Sequence, residues 1–327
     1  MTTIRIAILA YRDCLGAEVF AVADILRLAG HVAASLGQAP GPRLEVSVLG
    51  AAANTVRLAG ELALGVARPS GRYDYLVVPG PQVGRHEQAP LAPGHLQKEI
   101  ALIGACFAAG SAVASVCLGA FLLGEAGLLD GRRATTSWLF ADQLARRYPA
   151  ARVDAASVLI DDGAVITSGA VSAAFDLALH LIRLTLGASV AAATARIALL
   201  EPQRASQLPY QDSSLMAHAM PPFARHVAQW LGARMGEPYD LERLALAFHV
   251  SPRTMLRRVK ADTGASPLAL LQQARIAHAR TMLQTSRFSL ARIVSEVGYS
   301  DVASFTRLFL AHVGETPARY RRHQGGA

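Results

Sequence analysis

The sequence predicts two domains of different class: an α/β domain whose parallel sheet carries helices on both faces, then an all-α domain with two helix-turn-helix motifs. Three observations point there. Residues 1 to about 205 are rich in Ala, Val, Leu and Gly and alternate strand-like with helix-like runs, the pattern of a parallel sheet. The last hundred residues or so write one helix-turn-helix pattern twice. Charge is also segregated. Of 32 basic and 24 acidic residues, 15 and 7 lie from Ala219 to Ala327, leaving 17 and 17 before it, so the +8 excess belongs wholly to the C-terminal third. A basic run alone is more often an ordinary solvated face; on a module bearing two such motifs it points to a polyanion.

At 327 residues the chain has room for both domains. In the first, Ile4 to Leu9 reads as a strand, Glu18 to Ala29 as a helix, Leu44 to Leu49 as a strand and Tyr75 to Val78 as a buried strand ending at Pro79-Gly80. His95 to Ala109 reads as a helix and Ala112 to Val116 as another strand. Ile100 to Gly124 runs for 25 residues without a formal charge, long enough to span a bilayer. Its Ala, Gly and Ser content breaks it into helix end, strand, turn and helix start, so a buried βα unit is expected and no membrane partner. The apolar run between Arg5 and Asp13 is too short for a cleavable signal. Cys14, Cys106 and Cys117 show neither paired nor metal-binding spacing, which fits a reducing cytoplasm. No metal or cofactor site is expected. His86 and His95 read as solvated, and His180, on an apolar helix, as a satisfied structural histidine.

Cys117 is the candidate for chemistry. Ser115-Val116-Cys117-Leu118-Gly119-Ala120 places it between a buried strand and a helix, with Gly119 small enough for a sharp turn. That is the layout of a nucleophile elbow, where a helix N-terminus is expected to lower a thiol pKa. On local evidence alone a buried structural cysteine is the better reading.

In the first helix-turn-helix copy, Asp240 to Thr263, Leu241, Leu244, Ala245 and Phe248 recur at helical spacing, and Ser251-Pro252 is an N-cap followed by Pro at the first helical position. In the second, Ser289 to Val313, Ile293 and Val297 share a face, Gly298 suits the left-handed turn, and Phe305 and Phe309 are four apart. The residues left to point outward are Arg253, Thr254, Leu256, Arg257 and Arg258 on one helix and Val302, Ala303, Ser304, Thr306 and Arg307 on the other. Such side chains donate to phosphates and guanine edges in a major groove.

The C-terminal region, about Met220 to Arg322, resembles an AraC-type DNA-binding domain. The resemblance rests on Ser251-Pro252-Arg253-Thr254 with Arg257, Thr263-Gly264-Ala265-Ser266-Pro267, Arg275 to Arg280, Val297-Gly298-Tyr299-Ser300-Asp301, Phe305, Arg307, Phe309, Gly314-Glu315-Thr316-Pro317 and Tyr320-Arg321. It implies two small bundles joined by a linker helix, roughly Pro267 to Gln284, that present two recognition helices to successive major grooves. Carried over by position, the groove-facing residues are Arg253, Thr254, Leu256, Arg257, Val302, Ala303, Ser304 and Arg307. His249 departs from the usual small turn residue, and the apolar readers of the second helix suggest phosphate and thymine-methyl contacts there.

Residues 4 to about 210 resemble the ThiJ/PfpI branch of the class I glutamine amidotransferase-like superfamily. The carrying residues are Cys117 with Gly119-Ala120, Ala126 to Trp138, Thr167-Ser168-Gly169 and Phe175 to Leu181. Together the halves resemble the GlxA/FtrA-like group of AraC-type regulators. This resemblance implies a sensing and dimerising domain over residues 1–208, a linker over 209–222 and a DNA-binding domain over 223–324. It implies a ligand pocket of Glu18, Gly80, Cys117, Leu118 and Ser137, with Glu18 beside the cysteine and backbone N–H groups of Gly80 and Leu118 as oxygen donors. Hydrolytic members carry His where this chain has Leu118, and many regulators carry His where it has Ser137, which argues against catalysis. The expected partners are a double-stranded DNA operator, a small-molecule effector and a second copy of the chain, with RNA polymerase a further candidate. The rival expectations are a cysteine-dependent hydrolase or glyoxalase-like enzyme localised on DNA, and an architectural DNA binder without a ligand.

Overall fold

Ile6, Ala7, Ile8, Leu9 and Ala10 have no exposed surface, the mark of a central strand covered on both faces. They form most of β1 (Thr3–Ala10), which pairs in parallel with β2 (Arg43–Gly50) on one side and β5 (Tyr75–Val78) on the other. The computed structural model describes residues 2–37, 41–82, 95–201, 204, 206–211 and 221–324. His86 and residues 212–220 of the expected linker lie outside them. The chain divides into two compact units, Met1–Gln207 and Leu208–Ala327.

In the first unit the sheet order is β2-β1-β5-β6-β10-β9, where β6 is Ala112–Val116, β9 is Leu159–Asp161 and β10 is Val165–Ser168. Every pairing is parallel except β9 with β10. Two small ribbons lie apart from it: β3 (Thr55–Arg57) with β4 (Ala63–Gly65), and β7 (Arg133–Ala134) with β8 (Arg152–Val153). The crossover through α1 (Gly16–Ser35) steps from β1 out to β2, whereas the one through α2 (Gln97–Ala108) steps from β5 to β6 in the opposite direction. Right-handed crossovers running opposite ways put their helices on opposite faces. Accordingly α1 packs with α4 (Ala173–Leu186) and α5 (Ala188–Ile197), and α2 packs with α3 (Gly119–Glu125). The expected α/β class is what the structure shows. The β9 edge strand was not foreseen; three residues ending in Asp161 carry too little alternation to read. The uncharged stretch from Ile100 to Gly124 is divided among α2, β6 and α3, and no described helix is long and apolar enough to cross a membrane.

The second unit has two separate cores. Val227, Leu231, Leu244, Ala245, Met255 and Val259 build the first; Ile293, Val294, Val297, Phe305, Phe309 and Tyr320 build the second. One helix, Pro267–Thr285, serves both, giving Leu270 and Leu271 to the first core and Ile276, Ala279 and Leu283 to the second. Ser266 caps its start, accepting from Ala269 N–H, and Pro267 occupies its first position. Midway along it Arg275, 6% exposed, donates to the carbonyls of Met235 (2.8 Å) and Glu237 (2.6 Å) and lies over the Tyr299 ring. One side chain thus ties the first bundle to the second, and a cation buried this deeply needs such acceptors.

Candidate functional sites: an elbow cysteine and two recognition helices

β6 runs buried to Val116, and the chain reverses at Cys117, whose φ is +52°. A side-chain-bearing residue in the left-handed region is strained and persists only where its surroundings hold it. Here the Cys117 N–H donates to the carbonyls of Ser168 and Gly169 (3.1 and 2.8 Å), and the Thr136 hydroxyl donates to the Cys117 carbonyl (2.6 Å). Gly119 is required by close approach, since a Cβ there would sit 2.2 Å from the Val78 carbonyl oxygen. Gly80 presses on the elbow from the end of the neighbouring strand; a Cβ on it would meet the Leu118 nitrogen at 2.9 Å.

Glu18, read on local grounds as a helix-start residue, is 1% exposed. Its Oε2 accepts from the Gly80 N–H at 2.6 Å, while Oε1 finds no hydrogen-bond partner of full geometry. Burial raises the carboxyl pKa to about 8, against smaller lowering by the Gly80 N–H and the Cys117 thiol. Two expectations are corrected here. The Gly80 N–H is occupied by Glu18 rather than facing a ligand oxygen. The Cys117 thiol is not activated: burial first, then Glu18, push its pKa up, and the N–H groups of Leu118 and Val171 offset this only in part. The following helix has seven residues, too short a dipole to outweigh desolvation.

Sequence reading missed two members of this cluster. Tyr11, 1% exposed, donates its hydroxyl to the Pro79 carbonyl (2.6 Å), and its backbone N–H points at the Cys14 sulfur (3.4 Å). Burial raises the Tyr11 phenol well above its usual range and the Cys14 thiol to about 12. All three cysteines are free and buried. Ser137, 7% exposed, follows Thr136 at the start of a short 3-10 turn, Trp138–Phe140. His180 is held between Asp161 and Arg183, 2.8 Å from each, so it is spent structurally.

Glu18 makes stability depend on pH. Its folded pKa lies above the ordinary 4.5, so the folded unit binds the proton more tightly and loses stability as pH rises from about 4.5 to about 8. Glu18→Gln keeps an acceptor for Gly80 without a charge. Thermal melts should therefore show the variant gaining on wild type between pH 5 and pH 8; a constant gap would place the carboxylate in a solvated setting instead.

In the second unit each recognition helix is capped from both ends. The first, Pro252–Thr263, starts at Ser251, whose hydroxyl accepts from Thr254 N–H (3.2 Å), and ends at left-handed Gly264. The second, Val302–Val313, starts at Asp301, which accepts from Ala303 and Ser304 N–H groups, and ends at left-handed Gly314. The turns before them use His249 (φ +53°) and Gly298 (φ +76°). Arg253, Leu256, Arg257, Val302, Ala303, Ser304 and Arg307 are exposed, and Thr254 is half-buried with its hydroxyl bonded to Ser251 (2.9 Å). Arg307 donates to Ser304 Oγ (3.2 Å). Arg258, outward-pointing by spacing, remains exposed and stacks 3.7 Å from the Phe223 ring centroid.

With this geometry in hand, the comparisons with known proteins are specific. Residues 4–184 match the DJ-1/PfpI family, and residues 244–323 match a helix-turn-helix domain family. The chain is 27% identical over 217 residues to the HTH-type transcriptional regulator GbdR of Pseudomonas aeruginosa, covering 66% of this chain and 59% of that protein. It is 28% identical over 220 residues to the HTH-type transcriptional regulator GlxA of Rhizobium meliloti, covering 66% and 67%. The match thus spans about three-fifths of the length of GbdR. In fold, it is similar to a ThiJ/PfpI family protein from Pseudomonas syringae (TM-score 0.51, 20% identity, 72% of this chain and 88% of that one). It is similar also to DJ-1beta of Drosophila melanogaster (TM-score 0.50, 19% identity, 62% of this chain and all of that one). A buried strand-to-helix elbow with a paired carboxylate and this family match over more than half of the chain agree: the protein belongs to the DJ-1/PfpI family, with a helix-turn-helix domain following.

Proposed function

We propose that the protein is a sequence-specific DNA-binding transcription regulator that acts as a homodimer and whose first unit senses a small molecule. The observation that carries this is the second unit: two independently cored helix-turn-helix motifs, each with a doubly capped helix whose outer face bears Arg253 and Arg257, or Arg307 with Ser304. Arg257 and Arg307 supply base-edge or phosphate contacts; Val302 and Ala303 offer apolar surface to thymine methyls. The basic excess confined to this part of the chain supports the same reading. The relatives named as transcriptional regulators support it as well.

The elbow cluster of Glu18, Cys117, Leu118 and Ser137 is the proposed effector site, with the Gly80 N–H committed to Glu18. A role in turnover is disfavoured, because Cys117 has a raised pKa and no histidine stands at positions 118 or 137. RNA polymerase is the partner proposed for the DNA-bound state. The test is genome-wide mapping of bound sites followed by titration of the recovered operator at several salt concentrations. Specific sites should emerge, and log affinity should fall linearly with log salt at a slope of several phosphate contacts. Sequence-independent coating would favour an architectural binder, and Cys117-dependent product formation from simple amides or α-oxoaldehydes would favour the enzyme.

A further inference from the structure

The second helix-turn-helix enters its turn through Gly298, at φ +76°, where the first copy uses His249 at φ +53°. His249 is exposed, so this kind of turn tolerates a side chain. Gly298 has no such freedom. A Cβ on it would lie 2.5 Å from the Met235 carbonyl oxygen and 2.7 Å from Arg275 Nη2. Met235 packs against the first core, so this glycine marks where the two bundles of the second unit touch. Backbone makes the approach on both sides: a Cβ on Gly236 would meet the Glu296 carbonyl oxygen at 3.7 Å, an ordinary contact distance.

Arg275 fills this seam from the helix shared by both bundles, Pro267–Thr285. Its Nε donates to the Met235 carbonyl (2.8 Å) and its Nη2 to the Glu237 carbonyl (2.6 Å), and the guanidinium carbon lies 5.0 Å from the Tyr299 ring centroid. Two carbonyls of one turn and an aromatic face of the other suit a planar guanidinium and not a single ammonium. Both turns lead directly into the reading elements. Three residues after Glu237, Asp240 caps the first helix of the first motif, Leu241–Ala247. Two residues after Tyr299, Asp301 caps the second recognition helix, Val302–Val313, and the Tyr299 ring packs on Phe305 within it at 5.6 Å. The second recognition helix is thus set against the first bundle through a few closely packed residues.

We infer that Arg275 is a positioning residue for two-part DNA reading: with Gly298 and Tyr299 it holds the second recognition helix at a set distance and rotation from the first, so that the protein selects operators by the spacing between the two segments it reads as well as by their bases. This rests on the reading of the protein as a sequence-specific DNA binder. Inserting one base pair between the segments displaces the second by about 3.4 Å and turns it by roughly 35° about the duplex axis. A braced seam does not follow that displacement, whereas bundles joined by the shared helix alone can rock and recover part of the contact.

The test uses the full chain as wild type, Arg275→Lys, Arg275→Ala and Tyr299→Leu. Each is titrated against the mapped operator and against versions with one base pair inserted or removed between the segments read by the two helices. Lysine keeps the charge but loses the two-pronged bond; alanine leaves both carbonyls without this donor. Tyr299→Leu takes away only the ring beside the guanidinium, keeps an apolar neighbour for Phe305, and covers the case in which the arginine variants fail to fold. Wild type should bind either respaced operator about tenfold or more weakly than the mapped one. In the variants that spacing penalty should shrink to about threefold or less, while the penalty for a base substitution inside either segment stays. Variants that lose affinity by one factor on every operator, keeping the wild-type spacing penalty, would overturn the inference and leave Arg275 a structural residue. A wild type that binds its operator specifically yet ignores spacing would overturn it as well. A wild type that binds no specific sequence defeats the DNA-binding reading itself, and is recognised from that arm alone.

Discussion

Arg257→Ala and Arg307→Ala are each expected to weaken binding to the mapped operator by about 1–3 kcal/mol, or roughly five- to 150-fold, through loss of a charge-assisted contact in the groove. Both side chains are exposed on helices whose ends are held by caps, so neither substitution removes core packing. The two need not behave alike. Arg257 stands beside Arg253 on a reading face that keeps several hydrogen-bond donors, whereas Arg307 is accompanied by Ser304 and the apolar pair Val302 and Ala303. Arg257→Ala should therefore relax base preference at one position, and Arg307→Ala should weaken binding across sequences while making the salt dependence shallower. Fluorescence titrations with wild-type and base-substituted operators separate these. Wild-type affinity in both variants would remove the two helices from the interface.

Phe305→Ala is expected to cost about 3–5 kcal/mol within the second bundle, the usual range for deleting a buried phenyl ring. Phe305 has no exposed surface and packs its ring against those of Tyr299 and Phe309, with centroids 5.6 and 5.8 Å away. That core is small, so few neighbours can close the cavity. Operator binding should fall as far as losing one of two recognition helices requires, and near-ultraviolet circular dichroism should show a lower-melting transition beside an unshifted one from the first unit. A single transition at the wild-type temperature would mean that the second bundle draws its stability from elsewhere.

Much of the fold was legible because its signals are local. The buried strands β1, β5 and β6 announce themselves as short apolar runs, and five of the C-terminal helices begin at a Ser or Asp cap whose side chain accepts a backbone N–H. Gly298, Gly264 and Gly314 sit where a positive φ is needed, at +76°, +75° and +82°. The elbow at Cys117 was legible for the same reason, as a strand, a small-residue turn and a helix in eight residues or so. The short β9 edge was not, because three residues hold too little pattern to distinguish a strand from a loop.

The sequence by itself determined the two-domain architecture, the paired helix-turn-helix motifs, the confinement of positive charge to them and the place of the cysteine at a strand end. Each follows from residue type and spacing within a few turns of chain. Only the tertiary structure decided what those residues meet. The Glu18 carboxyl is buried against a backbone N–H 62 residues away, Arg258 stacks on Phe223, and Gln207 is sunk among carbonyls and N–H groups up to 71 residues distant. Protonation and hydrogen bonding depend on the groups that folding brings within a few ångströms, whatever their separation along the chain. That is why the cysteine, whose strand-to-helix setting alone could have suited a nucleophile, is a buried thiol with a raised pKa.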